Sequence, residues 1–203
     1  MSREFSSVYD FIYNQITNRL QLHLSPYYTY HSLDHTLDVL KQSQQIAARE
    51  NITDDEELFL LNIAVLYHDI GFLNIYSGHE EKGCELVKNE LPVIGFNHDQ
   101  IHKICGLIMA TKIPQSPKNK LEEIICDADL DYLGRNDFEQ ISNQLYKEFL
   151  HVGFVKNYAD WMQKQIGFFE SHQYFTKSSQ LLRQPLKMDH LLKIKATEIS
   201  KNQ

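Results

Sequence analysis

Nowhere in the 203 residues is there a run approaching the roughly 18 apolar side chains that would suggest a membrane span. The Met1-Ser2-Arg3-Glu4 start also lacks the apolar segment of a secretory signal, so a cytoplasmic location is the expectation. Cysteine is scarce. Cys84, Cys105 and Cys126 are odd in number and widely separated, and no CxxC pair occurs among them. A disulfide framework and a cysteine-based zinc site are both disfavoured, leaving three small buried apolar residues as the expected use. An excess of positive charge is missing as well. With a net charge of −7 the chain lacks the clustered cations that general nucleic-acid binding requires. No alternating apolar–polar segment strong enough for a sheet is present, nor any repeat or low-complexity linker.

What is present is helical periodicity. With 42% hydrophobic and 23% charged residues, the chain can bury a substantial core as one soluble domain. Val8, Phe11, Ile12, Ile16 and Leu20 mark a first amphipathic helix near 6–23, ended by Ser25-Pro26. Leu33, Leu37, Leu40 and Ile46 mark a second near 32–50. A third begins at "TDDE", with Thr53 as the expected cap, and runs to His68, where Gly71 is expected to supply a left-handed cap. Further helices are expected near 79–90 (stopped near Pro92), 98–111, 118–131 (ended near Gly134), 137–151, 156–170 and 178–199. The fold class expected is therefore all-α, a single-domain helical bundle over residues 1–203 with loops near 24–31, 70–78 and 112–117. Charge is uneven along it: residues 171–203 carry +4, leaving −11 on the rest. A basic end on an acidic body would suit an anionic ligand, and equally a solvated helix face.

Three polar groupings interrupt this apolar pattern. "YHSLDHT" places His31 and His35 four apart, where they can share a helix face, although such pairs also occur on ordinary surfaces. "VLYHDIGFLN" runs an apolar helix directly into His68-Asp69. Neighbours on a continuous helix point about 100° apart, so both reach one centre only where the chain begins to turn. A divalent cation there would accept an imidazole nitrogen and a carboxylate oxygen together, removing the cost of burying them. A hydrogen bond closing the helix would account for the segment taken alone. In "IICDADLDYLG", Asp127, Asp129 and Asp131 crowd an apolar helix. Asp127 and Asp131 align on one face, leaving Asp129 as the candidate for turning inward and capping or solvent exposure as the expectation for the other two.

The ordered set His35, His68-Asp69, Asp129 resembles the His, His-Asp, Asp signature of the HD-domain superfamily of metal-dependent phosphohydrolases. "HTLDVL", "LYHDIGF" and "CDADLDYLG" carry the resemblance, which spans a motif core of about 25–135, with the helices of 137–199 as the remainder. It implies an all-α fold in which His35, His68, Asp69 and Asp129 hold a divalent metal. Mn, Fe, Zn, Ni, Co and Mg are all admissible to a set of two nitrogens and two oxygens, Mg least readily. There are departures. Many members carry Lys shortly after the His-Asp pair, where this chain has Gly71-Phe72. Members with two metals have two more histidines; His79 matches the first, but Thr111 stands where the second is expected, and His98 and His102 fit only with a shifted register. A mononuclear site is the expectation.

Such a centre implies hydrolysis of a small phosphate ester, perhaps a nucleotide, by metal-activated water. His79 and Glu80 are the first candidates for moving protons, against the alternative of a solvated first helical turn. Lys112 and Arg135 are the candidates for holding phosphate, with Lys177, Arg183 and Lys187 as further cations that would need to fold back. Tyr30, Tyr67 and Tyr132 suit either the pocket or the core. Two alternatives are kept open: a non-catalytic metal-dependent nucleotide sensor, and a di-iron oxygenase of the same fold. The expected partner is thus a small phosphorylated substrate, with no membrane and no general nucleic-acid binding.

Overall fold

A computed structural model of the protein describes residues 3–201; the Met1-Ser2 start lies outside them. Among the described residues every regular element is helical. The α-helices are α1 (Arg3–His23), α2 (Leu33–Arg49), α3 (Asp55–Tyr67), α4 (His79–Glu90), α5 (His98–Ala110), α6 (Lys120–Asp129), α7 (Phe138–His151), α8 (Tyr158–Ser171), α9 (Lys177–Leu182) and α10 (Gln184–Lys201). No helix is long and apolar enough to cross a membrane among the described residues.

The centre of the bundle is α3. Its residues from Phe59 to Tyr67 are all buried, because α1, α2 and α5 pack around it and leave it no polar face. Only its first turn, Asp55-Glu56-Glu57, reaches solvent, where acids complement the helix N-terminus. Asp54 rather than the expected Thr53 is the cap, its carboxylate accepting from Glu57 N–H at 2.8 Å. Helices α1 to α6 contribute to one hydrophobic cluster; Tyr30, the turn after α6, α7, α8 and α10 form a second.

Three expected boundaries shift for identifiable reasons, and one holds. The segment after α3 is a 3₁₀ turn, Ile70–Leu73, and Gly71 does not adopt the left-handed conformation. Its need for glycine is close approach: a Cβ there would lie 2.0 Å from the His79 carbonyl oxygen. The helix expected at 79–90 is α4 with those bounds, and Pro92 sits after it in a short 3₁₀ turn, Leu91–Ile94, closed by Gly95 at φ 99°. Helix α6 ends at Asp129 and passes through Leu130 into another 3₁₀ turn, Asp131–Gly134. The single helix expected near 178–199 is two, because the Pro185 ring would clash with a carbonyl one turn back. The three cysteines are free and buried, in line with the sequence.

Substituting Gly71 by alanine is expected to destabilise the fold by about 2 kcal/mol or more, since backbone rather than a flexible side chain must move. Chemical denaturation of Gly71→Ala beside the parent measures it.

Candidate metal centre and its cavity

The end of α3 is built to turn two adjacent polar groups onto one point. His68 closes the helix, and Asp69 takes φ −106° and ψ 2°, so the chain leaves the helical path at the residue where the two side chains would otherwise diverge. The turn expected at Gly71 is therefore made at Asp69 itself. Ser32 caps α2 and sets His35 in its first turn. Asp129 is the last residue of α6.

From these three elements four atoms converge. His35 Nε2 lies 3.0 Å from Asp129 Oδ1 and 3.5 Å from Asp69 Oδ2; His68 Nε2 lies 3.3 Å from Asp69 Oδ2 and 3.7 Å from Asp129 Oδ1. Donors held about 2.1 Å from one ion in tetrahedral or octahedral geometry are separated by roughly 3.0 to 3.4 Å along each edge, so the spacing suits a shared cation. His35, His68 and Asp129 form a triad able to hold a metal ion, with Asp69 closing the set.

The tautomer of His68 supports this fit. Its Nδ1–H donates to the Val65 carbonyl at 2.7 Å, which leaves the Nε2 lone pair facing the carboxylates. Accordingly His68 Nε2 and Asp69 Oδ2 are buried without a hydrogen-bond partner. Such orphaned acceptors are costly unless a cation satisfies both. The electrostatics agree. Burial opposes charge on each group, yet Asp69 and Asp129 push the His68 imidazole well above its ordinary pKa. Against the same burial, His68 holds Asp69 well below the carboxylate range, while the His35 hydrogen bond and the nearby His68 imidazole hold Asp129 down to about 2. The arrangement favours positive charge at its centre.

Around this centre lies a cavity of 450 Å³, lined among others by Asp69 and Asp129. His79 and Glu80 also line it. The His79 ring stacks on Phe72 at 3.8 Å, and its Nδ1–H donates to the Tyr76 carbonyl at 3.2 Å, so Nε2 faces Asp69 Oδ1 at 3.5 Å. Phe72, standing where many members have Lys, thus packs the histidines: it also lies against the ring of His31 at 4.2 Å. Glu80 is buried, not part of a solvated turn.

The other sequence-level candidates fall elsewhere. Lys112 is exposed and paired with Glu81. Arg135 binds Asp38 and Asp137 at 2.7 and 2.9 Å and borders a separate groove. Arg183 is held by Asp131 at 2.8 Å, Lys187 is buried against the His172 carbonyl, and Lys177 is exposed. Asp127 and Asp131 are not solvent-exposed as expected: Asp127 is buried and accepts from the Phe175 and Thr176 backbone, and Asp131 is buried against Arg183. Tyr30 and Tyr132 line the cavity, whereas the Tyr67 hydroxyl donates to Glu90 at 2.9 Å. His98 and His102 are exposed, and the Thr111 hydroxyl donates to the Ile108 carbonyl.

His31 and Glu148 matter more than sequence reasoning allowed. Glu148 on α7 is fully buried and accepts from the Tyr30 and His31 amides at 2.8 and 3.1 Å, from the Tyr76 hydroxyl at 2.7 Å, and from His31 Nδ1. His31 lines the cavity, with its ring 6.0 Å from that of His35 and 6.1 Å from that of His79. Burial lowers the His31 pKa, but the Glu148 hydrogen bond and the surrounding carboxylates raise it overall. One signal for Glu148 was available. Phe138, Ile141, Leu145, Glu148 and Val152 recur at spacings of three and four, so the acid occupies a position on the apolar stripe.

Helices, turn and centre together define an all-α domain with a candidate metal centre, and comparison with known proteins gives its class. Residues 32–131 match the model of the HD domain, so the chain carries an HD domain over those residues. It is similar in structure to a predicted HD superfamily hydrolase from an uncultured Thermotogales bacterium, with a TM-score of 0.59 at 18% identity over 94% of this chain and 92% of that one. At that identity the likeness speaks to the fold. No curated protein matches the chain in sequence.

Proposed function

We propose that the protein hydrolyses a small phosphate ester, with His35, His68, Asp69 and Asp129 as the ligands of one divalent cation. The observation that carries this reading is the pair of buried acceptors, His68 Nε2 and Asp69 Oδ2, left without hydrogen-bond partners at the mouths of three helices. A cation bound there supplies water acidified toward neutral pH and polarises a phosphoryl oxygen.

The remaining work falls to the chain's own side chains. In the proposed reaction a water oxygen forms the new bond to phosphorus, the ester P–O bond breaks, and the leaving oxygen takes up a proton. His31 is placed to give that proton, since Glu148 orients its ring and favours its protonated form. His79, held through Nδ1 by the Tyr76 carbonyl, presents Nε2 beside Asp69 and orients water on that side, with Glu80 next to it to accept the proton that the water loses. A single cation suits this chain: among the described residues His79 is the one imidazole besides the two proposed ligands within 4 Å of Asp69, and Thr111 commits its hydroxyl to its own helix.

Metal-loaded protein, prepared separately with Mn, Fe, Co, Ni, Zn and Mg, is expected to hydrolyse members of a panel of phosphomonoesters, phosphodiesters and nucleotides, read as inorganic phosphate from monoesters and as the freed alcohol from diesters. Binding of panel members with neither product under any metal would overturn the proposal in favour of a sensor. Two iron atoms per chain with oxygen-dependent turnover would overturn it in favour of an oxygenase.

A further inference from the structure

The cavity beside the metal centre is larger and more apolar than phosphate chemistry requires. Away from Asp69 and Asp129 its lining includes Leu133, Leu145, Phe149, Trp161, Phe168 and Phe169, contributed by the turn after α6, by α7 and by α8. Cavities of about 300 to 1,000 Å³ enclose whole organic ligands, so the 450 Å³ here accommodates more than a phosphoryl group.

Charge points the same way. Two carboxylates, Asp69 and Asp129, already offset a divalent cation, and Glu80 adds a third acid to the lining. Against these, Lys164 is the one Lys or Arg side chain among the residues lining the cavity, and it is exposed, while the charge of a protonated His31 is already matched by Glu148. A diphosphate or triphosphate would bring several negative charges to a site with almost nothing to pair them, whereas a phosphate monoester brings one dianionic group to the cation. The hydroxyl and amide groups that would read a sugar are also sparse. Tyr30, Tyr132 and Gln165 are the uncharged polar side chains with Thr111, and Gln165 already bonds Ser142 while Thr111 bonds Ile108.

We infer that the substrate is the phosphate monoester of an apolar alcohol, its phosphate on the cation and its hydrocarbon group in the lobe between α7 and α8. This rests on the phosphohydrolase reading for the phosphate and on the lobe alone for the hydrocarbon.

Trp161 is the only tryptophan of the chain and lines the lobe, so its fluorescence reports what enters. Manganese-loaded protein is titrated with methylphosphonate, hexylphosphonate, AMP and ADP, none of the phosphonates being cleavable. Burial of five additional methylenes is expected to make hexylphosphonate bind at least about 30-fold tighter than methylphosphonate, and tighter than AMP, with ADP weakest. Leu145→Phe, which narrows the lobe without adding a second tryptophan, is expected to reduce the chain-length preference several-fold while metal content stays unchanged. Should that variant fail to fold, Phe149→Ala, which enlarges the lobe, is expected to shift the preference toward longer phosphonates. Metal-free protein is titrated with 1-hexanol and 1-propanol to examine the lobe without phosphate. Equal affinity for both phosphonates, or nucleotides preferred over hexylphosphonate, would overturn the inference even if phosphate release were observed. A chain-length preference in both titrations upholds the lobe even if no ester is hydrolysed.

Discussion

His68→Ala is expected to lose bound metal and to reduce phosphate release by at least about 10³-fold, because even outer-shell partners of metal ligands cost 10- to 100-fold and a ligand costs more. The structural reason is specific. His68 Nδ1 is fixed by the Val65 carbonyl, so its Nε2 lone pair is held toward the centre. Asp129→Ala is expected to behave alike, since its Oδ1 lies 3.0 Å from His35 Nε2 and faces both imidazoles. Elemental analysis and thermal melts separate metal loss from unfolding. A cation present at 100 times its Kd stabilises the parent by about 2.7 kcal/mol, which in a chain of this size corresponds to a rise in Tm of roughly 5 to 10 °C. That rise is expected in the parent and absent from both variants. Full metal content and activity in the two variants would exclude the assignment.

The second large effect concerns Glu148. Glu148→Gln keeps the shape of the side chain but removes the charge that favours protonated His31, and one acceptor of a carboxylate receiving four hydrogen bonds. Loss of general-acid assistance costs about 10²- to 10⁴-fold, so kcat is expected to fall by at least about 10²-fold with metal content unchanged. His31→Ala is expected to give a similar loss. The sign of the pH dependence follows from the direction of the His31 shift: an acid whose pKa is raised stays protonated above its ordinary value, and its contribution disappears as pH rises through the raised one. The parent's kcat is therefore expected to fall on the alkaline side, and Glu148→Gln to move that fall to lower pH. A substrate whose leaving group needs no proton, such as p-nitrophenyl phosphate, is expected to lose much less in both variants. Unchanged kcat with ordinary substrates would remove His31 and Glu148 from the proton path.

These predictions rest on different degrees of legibility in the chain. Helix α3 was readable because its apolar residues are continuous, and the centre was readable because His68-Asp69 and Asp129 break apolar segments where burial has a cost. The all-α architecture follows from the same periodicity. Other features were hidden because they depend on contacts between distant segments. Gly71 looks like a left-handed cap until the His79 backbone is seen against it. Asp127 and Asp131 look like capping or surface acids until Thr176 and Arg183, about fifty residues later, arrive to satisfy them. Arg135 and Lys112 looked like phosphate ligands by proximity in sequence, but acids nearer than the cavity capture both. His31 was passed over because its partner, Glu148, lies 117 residues away.

The most direct test of the shared cation is an anomalous difference map from crystals of the protein soaked in manganese. One peak is expected at roughly 2.0 to 2.3 Å from each of His35 Nε2, His68 Nε2, Asp69 Oδ2 and Asp129 Oδ1. Manganese sited away from these four atoms, or no peak between them at saturating metal, would contradict the account.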